Sequence, residues 1–257
     1  MRISGLFVYP IKSGAAWAVD AWPLGRFGLE HDREYMVVDE AGRFLTQREA
    51  PALALVTARL GQELEVVTPG GSATAPPGRR VPVQVWAHAG EALDCGDEVA
   101  GLLTDLLQRP CRLVRVAAEH RRPTTLGGGE VGFADGYPLL LTCVSSLDEL
   151  NRRMPAPLPM NRFRPNIVIE GTEAYAEDDW VSVELGPVTV DVVKPCDRCS
   201  ITRVDQATGV RGDGEPLRTL GTFRKAKGGV MFGQNAVHRD LGMLTVGDAV
   251  TVVERRS

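Results

Sequence analysis

The sequence predicts a β-rich α+β fold with two β-barrels and a few short helices. Short apolar segments bounded by Gly, Pro, Asn or Asp recur along the chain, as is typical of strands joined by turns. Few segments have the apolar spacing of a helix. The 257 residues are 44% hydrophobic and 24% charged, so the chain can bury a core without disulfides. Two domains are expected, residues 1–118 and 119–257.

The first half is predicted to form short strands and one helix. The predicted strands are residues 3–11, 34–39, 43–47, 56–60, 64–68, 81–86 and 112–116. Glu40-Ala41-Gly42 has the composition of a hairpin turn, and the Pro- and Gly-rich residues 69–78 are expected to form an exposed loop. The leucine spacing of residues 99–107 predicts an amphipathic helix that ends before Pro110.

The second half begins with a polar, glycine-rich segment, residues 120–132, which predicts either a surface loop or a segment near a ligand. Ser145 has the position of a capping box for a helix that continues to about Arg153. Two final strands around Gly247-Asp248 are expected to close a second barrel. The other predicted strands are residues 137–143, 166–170, 181–185 and 188–193.

The charge and the cysteines exclude several classes of protein. A formal net charge of −4 argues against a nucleic-acid-binding protein, which usually carries a basic surface. The five cysteines, widely spaced except for Cys196 and Cys199, do not form the pattern of a secreted disulfide framework. The apolar residues 6–11 are interrupted by Pro10 and are too few for a signal peptide or membrane anchor. A cytoplasmic protein without membrane attachment is therefore expected.

Cys196 and Cys199 lie in one predicted turn, flanked by Lys194 and Arg198, and nearby positive charge favours the thiolate that binds metals. Three other interpretations of this pair stay open. A structural zinc site would use the pair as half of its ligands, although no second half has matching spacing. A redox dithiol would need its first cysteine at a helix start, although residues 201–204 favour strand. The third interpretation is two ordinary buried thiols.

Five motifs follow one another in a recognisable order along the chain. They are Tyr9-Pro10-Ile11-Lys12-Ser13, Asp32-Arg33, Asn161-Arg162-Phe163-Arg164-Pro165-Asn166, Cys196-Asp197-Arg198-Cys199 and Phe232-Gly233-Gln234. In this order they resemble the MOSC family, and within it the amidoxime-reducing members. The similarity extends from the first predicted strand to Val250. The resemblance implies an N-terminal MOSC β-barrel domain followed by a MOSC domain.

The resemblance also implies a molybdenum cofactor, molybdopterin, with Cys199 as the catalytic cysteine and the protein ligand of molybdenum. A soft thiolate suits a metal that dithiolene sulfurs already hold. Arginine binds phosphate through a planar fork and lysine through a point charge, which suits the phosphate of the pterin. The residues that match or adjoin cofactor contacts in the family are Lys12, Ser13, Arg33, Asp135, Gly136, Tyr137, Arg164, Asn166, Asp197, Arg198 and Asn235. Because they come from both halves, the site is expected between the domains.

The activity that the resemblance implies is the reduction of N-hydroxylated compounds such as amidoximes and hydroxylamines. The sequence shows no cysteine cluster or nucleotide-binding glycine loop, so a separate electron-donor protein is expected. Asp135-Gly136-Tyr137, Asn235 and Gln206-Ala207 depart from the amidoxime-reducing members, and these changes bear on substrate range more than on metal binding. Two alternatives stay open: a carrier that binds the cofactor without reducing a substrate, and a sulfur-transfer enzyme with a persulfide on Cys199.

Overall fold

The structure, a computed structural model, describes residues 1–226 and 228–256. The strands are β1 (Arg2–Val8), β2 (Trp17–Val19), β3 (Ala21–Gly25), β4 (Gly28–Leu29), β5 (Tyr35–Val38), β6 (Thr57–Arg59), β7 (Leu64–Thr68), β8 (Gly71–Ala75), β9 (Arg80–Val85), β10 (His88–Asp94), β11 (Arg112–Val116), β12 (Leu139–Cys143), β13 (Ile167–Glu170), β14 (Trp180–Leu185), β15 (Val188–Asp197), β16 (Lys225–Ala226), β17 (Gly229–His238), β18 (Met243–Thr245) and β19 (Val250–Arg255). The α-helices are α1 (Asp97–Leu107), α2 (Val144–Arg153) and α3 (Leu217–Phe223). Many strands beside a few short helices confirm the predicted β-rich α+β class.

The largest sheet is built mainly from the second half of the chain. Its strand order is β19-β14-β15-β17-β12-β13-β1-β2, with β16 attached to β17. Only the pair β12 and β13 is parallel among the strand pairs described for this sheet. Its buried face packs around Trp180 and apolar residues such as Val183 and Leu141. Since β1 and β2 complete this sheet, the first residues of the chain stabilise the second half, and the boundary at residues 118 and 119 remains a prediction.

Three smaller sheets are built mainly from the first half, with β18 as the strand that the second half adds. Their strand orders are β5-β11-β10-β9, β6-β7-β8 and β18-β3-β4. Helix α1 covers β8 and β11 and buries Val99 and Leu103 between them, as its leucine spacing predicts. In the described part of the chain, no helix combines the length and the apolarity that crossing a membrane requires.

Two predictions for the first half are wrong. A strand at residues 43–47 does not form, because Arg43 and Phe44 make only isolated bridges before the chain turns at Thr46. Residues 69–78 are not simply a loop, because β8 starts at Gly71 and pairs with β7 through its whole length. The turn needs the positive φ of Gly71, 144°, which the glycine allows without strain.

Predictions around the helices of the second half also need correction. Helix α2 begins at Val144, directly after β12, and Ser145 makes no capping bond; its buried hydroxyl has no partner among the described residues. The residues after Cys199 form a 3-10 helix, Ser200–Arg203, rather than a strand. The hydroxyl of Thr202 donates to the Cys199 carbonyl at 2.9 Å, and this local bond favours the helical turn.

The last two strands do not form one hairpin. β18 pairs with β3, whereas β19 pairs with β14 in the large sheet. The turn at Gly247 therefore joins two sheets. Sequence analysis also missed β10, β17 and α3, although the motif Phe232-Gly233-Gln234 lies within β17.

Candidate functional site

One cleft of about 140 Å³ gathers all the residues that the sequence analysis assigned to the cofactor site. These lining residues are Lys12, Ser13, Arg33, Asp135, Gly136, Tyr137, Arg164, Asn166, Asp197, Arg198, Cys199 and Asn235. Cys196 lines it as well. The first three come from loops of the first half and the others from the second half, so the cleft lies where the two halves meet. We call Lys12, Arg33, Arg164 and Asn166 the basic end, and Cys196 with Cys199 the cysteine end.

Three lining residues have a positive φ, a backbone conformation that is unfavourable for residues other than glycine. The φ angles of Ser13, Arg33 and Arg164 are 66°, 49° and 55°. Such conformations cost about 1–3 kcal/mol each and persist where the surrounding structure determines them strongly, commonly at functional sites. Three such residues around one cleft make it a candidate functional site.

Lys12 is buried at the basic end and anchors Asp135 at the rim. Its ammonium donates to the carbonyl of Phe133 at 2.8 Å and forms an ion pair with the Asp135 carboxylate. Burial lowers the pKa of Lys12, although the Asp135 charge opposes this shift. Burial by itself would raise the pKa of Asp135, but the Lys12 and Arg48 charges outweigh it and hold this pKa well below its usual range. Asp135 is therefore an anion at neutral pH.

Arg33 is held by a buried polar network. Its guanidinium pairs with Asp32 and donates to the Asn166 amide oxygen at 3.2 Å. The Asn166 amide nitrogen donates to Asp32 at 3.0 Å and to the carbonyl of Phe7 at 3.2 Å. Burial raises the pKa of Asp32, and the Arg33 charge opposes that shift. The Asn166 side chain makes these hydrogen bonds to groups of the protein itself. It therefore fixes Arg33 and the strands around it.

Arg164 is buried and is held by two acceptors and an aromatic ring. Its Nη1 donates to the Gly14 carbonyl at 2.6 Å and to Gln206 Oε1 at 3.2 Å. Its Nη2 has no partner among the described residues. The guanidinium stacks 4.3 Å from the ring centroid of Tyr9. Burial lowers the pKa of Arg164 to about 10, so the side chain remains a cation at neutral pH.

Two glutamines that sequence analysis did not assign to the site support Arg164. Gln47 and Gln206 face each other, and each amide donates to the other, at 3.0 Å and 2.9 Å. Gln47 also donates to the carbonyl of Ser13 at 2.7 Å. In the sequence, Gln206 differs from the family pattern. That difference is the sequence signal that could have indicated its pairing with Gln47.

The cysteine end lies where β15 finishes and the following 3-10 helix starts. Both cysteines are partly exposed, so they are not ordinary buried thiols. Arg198 Nη1 donates to the Cys196 sulfur at 2.9 Å, while Arg198 Nε is buried and has no partner among the described residues. The 3-10 helix follows the second cysteine, Cys199. A redox dithiol would instead need its first cysteine at the start of a helix.

Sequence analysis also missed Arg48 and Trp86, which border the cysteine end. Arg48 Nη2 donates to the Cys199 sulfur at 3.3 Å, and its guanidinium lies 5.0 Å from the Trp86 ring centroid. Trp86 Nε1 donates to Asp135 at 3.3 Å. No local pattern marks these residues, because 151 residues separate Arg48 from Cys199 and 49 separate Trp86 from Asp135.

The polar segment of residues 120–132 adjoins the cleft. Arg122 is buried and donates to the carbonyls of Gly132 and Asp135 at 3.2 Å and 2.7 Å, so it holds the backbone that presents Asp135. The hydroxyl of Thr125 lies 2.7 Å from that of Tyr137, a lining residue. Of the two interpretations left open by the sequence, a segment beside a ligand site agrees better with these contacts.

The remaining cysteines are distant parts of the core. Cys95 and Cys111 are buried in the cluster beneath α1, and Cys143 is buried under the large sheet. Burial raises the pKa of each thiol. Within residues 1–226 and 228–256, no three His, Cys, Asp or Glu side chains come together as a metal site. The positions of the cysteines thus do not support a zinc site with several cysteine ligands.

The cleft has donors that fit an anionic pterin with a phosphate. In the described part of the chain, Arg164 Nη2 and Arg198 Nε are buried N–H groups without an acceptor, whereas buried polar groups in proteins usually have a hydrogen-bond partner. Guanidinium groups bind phosphate through charge-assisted hydrogen bonds. The sulfur of Cys199 lines the same cleft, and thiolate is a suitable ligand for a soft metal centre. The residues present therefore fit a molybdenum cofactor.

Comparison with known proteins gives two family matches. The MOSC N-terminal beta barrel domain matches residues 1–110, and the MOSC domain matches residues 128–251. Mitochondrial amidoxime-reducing component 1 of Danio rerio is 33% identical over 96% of this chain and 83% of its own length. Mitochondrial amidoxime reducing component 2 of Rattus norvegicus is 34% identical over 96% of this chain and 82% of its own length.

A second group of relatives is named molybdenum cofactor sulfurase. The Danio rerio sulfurase is 32% identical over 92% of this chain, but the match covers only 32% of the sulfurase. Both groups are named for the molybdenum cofactor or for amidoxime reduction. The amidoxime-reducing relatives are named as mitochondrial, and the cytoplasmic location expected from the sequence stays a prediction.

Proposed function

Because this chain belongs to the MOSC family and carries both of its matched domains, we propose that it is a molybdenum-cofactor oxidoreductase that reduces N-hydroxylated compounds. Amidoximes and hydroxylamines are the proposed substrates. The observation that supports this most is that one cleft brings together the partly exposed Cys199 and two arginines, Arg164 and Arg198, each with a nitrogen that lacks a partner among the described residues. The match to 83% of the length of an amidoxime-reducing component supports the choice of reaction.

Each end of the cleft has a proposed task. Cys199 at the cysteine end is the proposed protein ligand of molybdenum, and Arg164 at the basic end is a proposed phosphate donor. Arg198, which contacts Cys196, is the second proposed phosphate donor. When bound, the cofactor would supply the redox chemistry. Arg33 and Asn166 keep the walls of the basic end fixed, as their shared hydrogen bond indicates. Lys12, Ser13, Asp135, Gly136, Tyr137, Asp197 and Asn235 are the other proposed contacts.

The proposed reaction breaks the N–O bond of the substrate. An amidoxime takes up two electrons and two protons and becomes an amidine and water. The electrons come from a separate electron-donor protein and the protons from water. The protein orients the N–O group at the open cysteine end, where both cysteines are accessible to solvent.

The test is turnover with an artificial electron donor. Protein loaded with the cofactor and supplied with a chemically reduced dye should convert benzamidoxime to benzamidine. Molybdenum and pterin are measured on the same sample. Molybdenum-loaded protein that reduces neither amidoximes nor hydroxylamines would contradict the proposal.

The second candidate is a cofactor carrier or sulfur-transfer protein, which the sulfurase relatives support. A carrier would bind the same cofactor but leave the amidoxime unchanged. A sulfur-transfer protein would form a persulfide on Cys199 that mass spectrometry detects after incubation with a sulfur donor. The dye assay and the persulfide measurement on one preparation therefore separate the three functions.

A further inference from the structure

We propose that Arg48 is a positioning residue that tunes the metal centre through the Cys199 sulfur. Its hydrogen bond to that sulfur raises the reduction potential of the bound metal. The inference deepens the proposed function and rests on it, since it takes Cys199 as the metal ligand.

The guanidinium of Arg48 bridges the two sides of the cleft mouth. Its Nη2 donates to the Cys199 sulfur at 3.3 Å and lies 3.7 Å from the Asp135 carboxylate. Asp135 also pairs with Lys12, so the carboxylate is fixed independently of Arg48. The Arg48 side chain is only 24% exposed. The contact with sulfur is thus a defined one rather than the chance position of a surface arginine.

The backbone of Arg48 is held from both halves of the chain. Its N–H donates to the Thr46 hydroxyl at 3.1 Å, and that hydroxyl in turn donates to Glu49 at 3.1 Å. Arg211, from the second half, donates to the carbonyls of Gln47 and Arg48. These bonds close a rigid turn, so Arg48 loses little additional freedom when it contacts Cys199.

Trp86 covers the outer side of this arginine. Its ring centroid lies 5.0 Å from the Arg48 guanidinium and 4.9 Å from the Phe44 ring. Its φ of 55° is in the left-handed region, which is strained for tryptophan. Trp86 is nevertheless 45% exposed, so burial does not account for that conformation. A cation over an aromatic face is stabilised, and Trp86 therefore keeps Arg48 directed towards Cys199.

A cationic donor on a metal-bound sulfur changes the electron affinity of the metal. The N–H group withdraws electron density from the sulfur and stabilises the more reduced state, so the reduction potential rises. Hydrogen bonds to sulfur ligands are an established means of setting such potentials. Arg198 makes a similar contact, but with Cys196, which is not the proposed ligand. Arg48 is therefore the arginine positioned to act on the metal.

The test compares metal-loaded wild-type protein with Arg48→Gln, Arg48→Lys and a surface control, Arg59→Gln. Arg59 is exposed and pairs with Glu65 on β6 and β7, so its replacement makes the same charge change elsewhere. Potentiometric titration followed by the molybdenum electron paramagnetic resonance signal gives the midpoint potential. Turnover with reduced dye and molybdenum content are measured on the same samples.

Arg48→Gln should keep its molybdenum but titrate at a more negative potential than the wild type. Arg48→Lys should recover part of the potential, since it keeps the charge but lacks the planar fork. Arg59→Gln should match the wild type. Loaded Arg48→Gln with the wild-type potential would overturn this inference alone, leaving the proposed function intact. Wild-type protein that takes up no molybdenum would overturn both.

Discussion

The two ends of the cleft are built in opposite ways. At the basic end Lys12, Arg164 and Asn166 are at most 8% exposed, and each makes hydrogen bonds inside the protein. At the cysteine end both cysteines are partly exposed, and a single arginine nitrogen donates to each sulfur. The basic end is fixed before any ligand arrives, whereas the cysteine end is open.

This difference matches two different tasks. A phosphate needs donors of fixed geometry, and burial protects those donors from competing water. A reacting metal centre needs a protein ligand together with access for substrate and electrons. The open end should therefore control turnover, and the buried end should control how firmly the cofactor is retained. Substitutions at the two ends should separate these properties.

The largest effect is expected at the cysteine end. Cys199→Ala should abolish amidoxime turnover while some pterin is retained, because Arg164 and Arg198 are unchanged. Cys196→Ala should keep measurable activity and serves as the matched control. Activity of both variants is measured with reduced dye and normalised to pterin content. A dead Cys196→Ala beside an active Cys199→Ala would show that the wrong cysteine is assigned to the metal.

The next effect concerns the basic end. Arg164→Ala removes Nη2, which has no partner among the described residues, and the loss of a charge-assisted bond to phosphate costs about 1.5–3 kcal/mol. Cofactor affinity should fall about ten-fold or more. Arg164→Lys should recover part of it, since an ammonium lacks the planar fork. Retention is measured by the pterin that survives gel filtration, with melting temperature as a folding control. Unchanged retention in Arg164→Ala would remove this arginine from the phosphate site.

A smaller effect is expected from the glutamine pair behind Arg164. Gln47→Ala and Gln206→Ala should each reduce cofactor retention a few-fold, because the reciprocal amide bonds hold the acceptor of Arg164. The double variant should lose little more than either single variant, since residues of one network couple by about 0.5–3 kcal/mol. Fully additive losses would mean that the two glutamines act independently.

The smallest effect lies away from the cleft and tests a buried carboxyl that has no cationic partner among the described residues. Glu177 is fully buried beside Ser146, whose hydroxyl lies 2.8 Å from both carboxylate oxygens. Burial raises the pKa of Glu177 above its ordinary 4.5. The folded state therefore binds this proton more tightly than the unfolded state, and stability falls as pH rises from about 4.5 towards the folded pKa.

Glu177→Gln should remove this pH-dependent loss. Its melting temperature should exceed that of the wild type in mildly alkaline buffer, and the difference should shrink as the pH falls below 4.5. Thermal unfolding of both proteins across the pH range measures it. A difference that grows towards acid would reverse the sign of the assigned shift.

The sequence was sufficient for the fold class and for grouping the twelve assigned residues, all of which line one cleft, because the resemblance carries that information. Contacts between distant segments were not predictable in the same way. Arg48 follows a predicted strand that does not form, and its contact with Cys199 spans 151 residues. The capping box at Ser145 failed because β12 leads directly into α2, so tertiary structure overrides a local signal.

The central claim is that Cys199 joins the cofactor to the protein through the metal. Extended X-ray absorption fine structure at the molybdenum edge tests this claim, because it counts the sulfur ligands of the metal in loaded protein. The count should fall by one sulfur in Cys199→Ala and stay unchanged in Cys196→Ala. An unchanged count in Cys199→Ala, or a loss confined to Cys196→Ala, would contradict the claim.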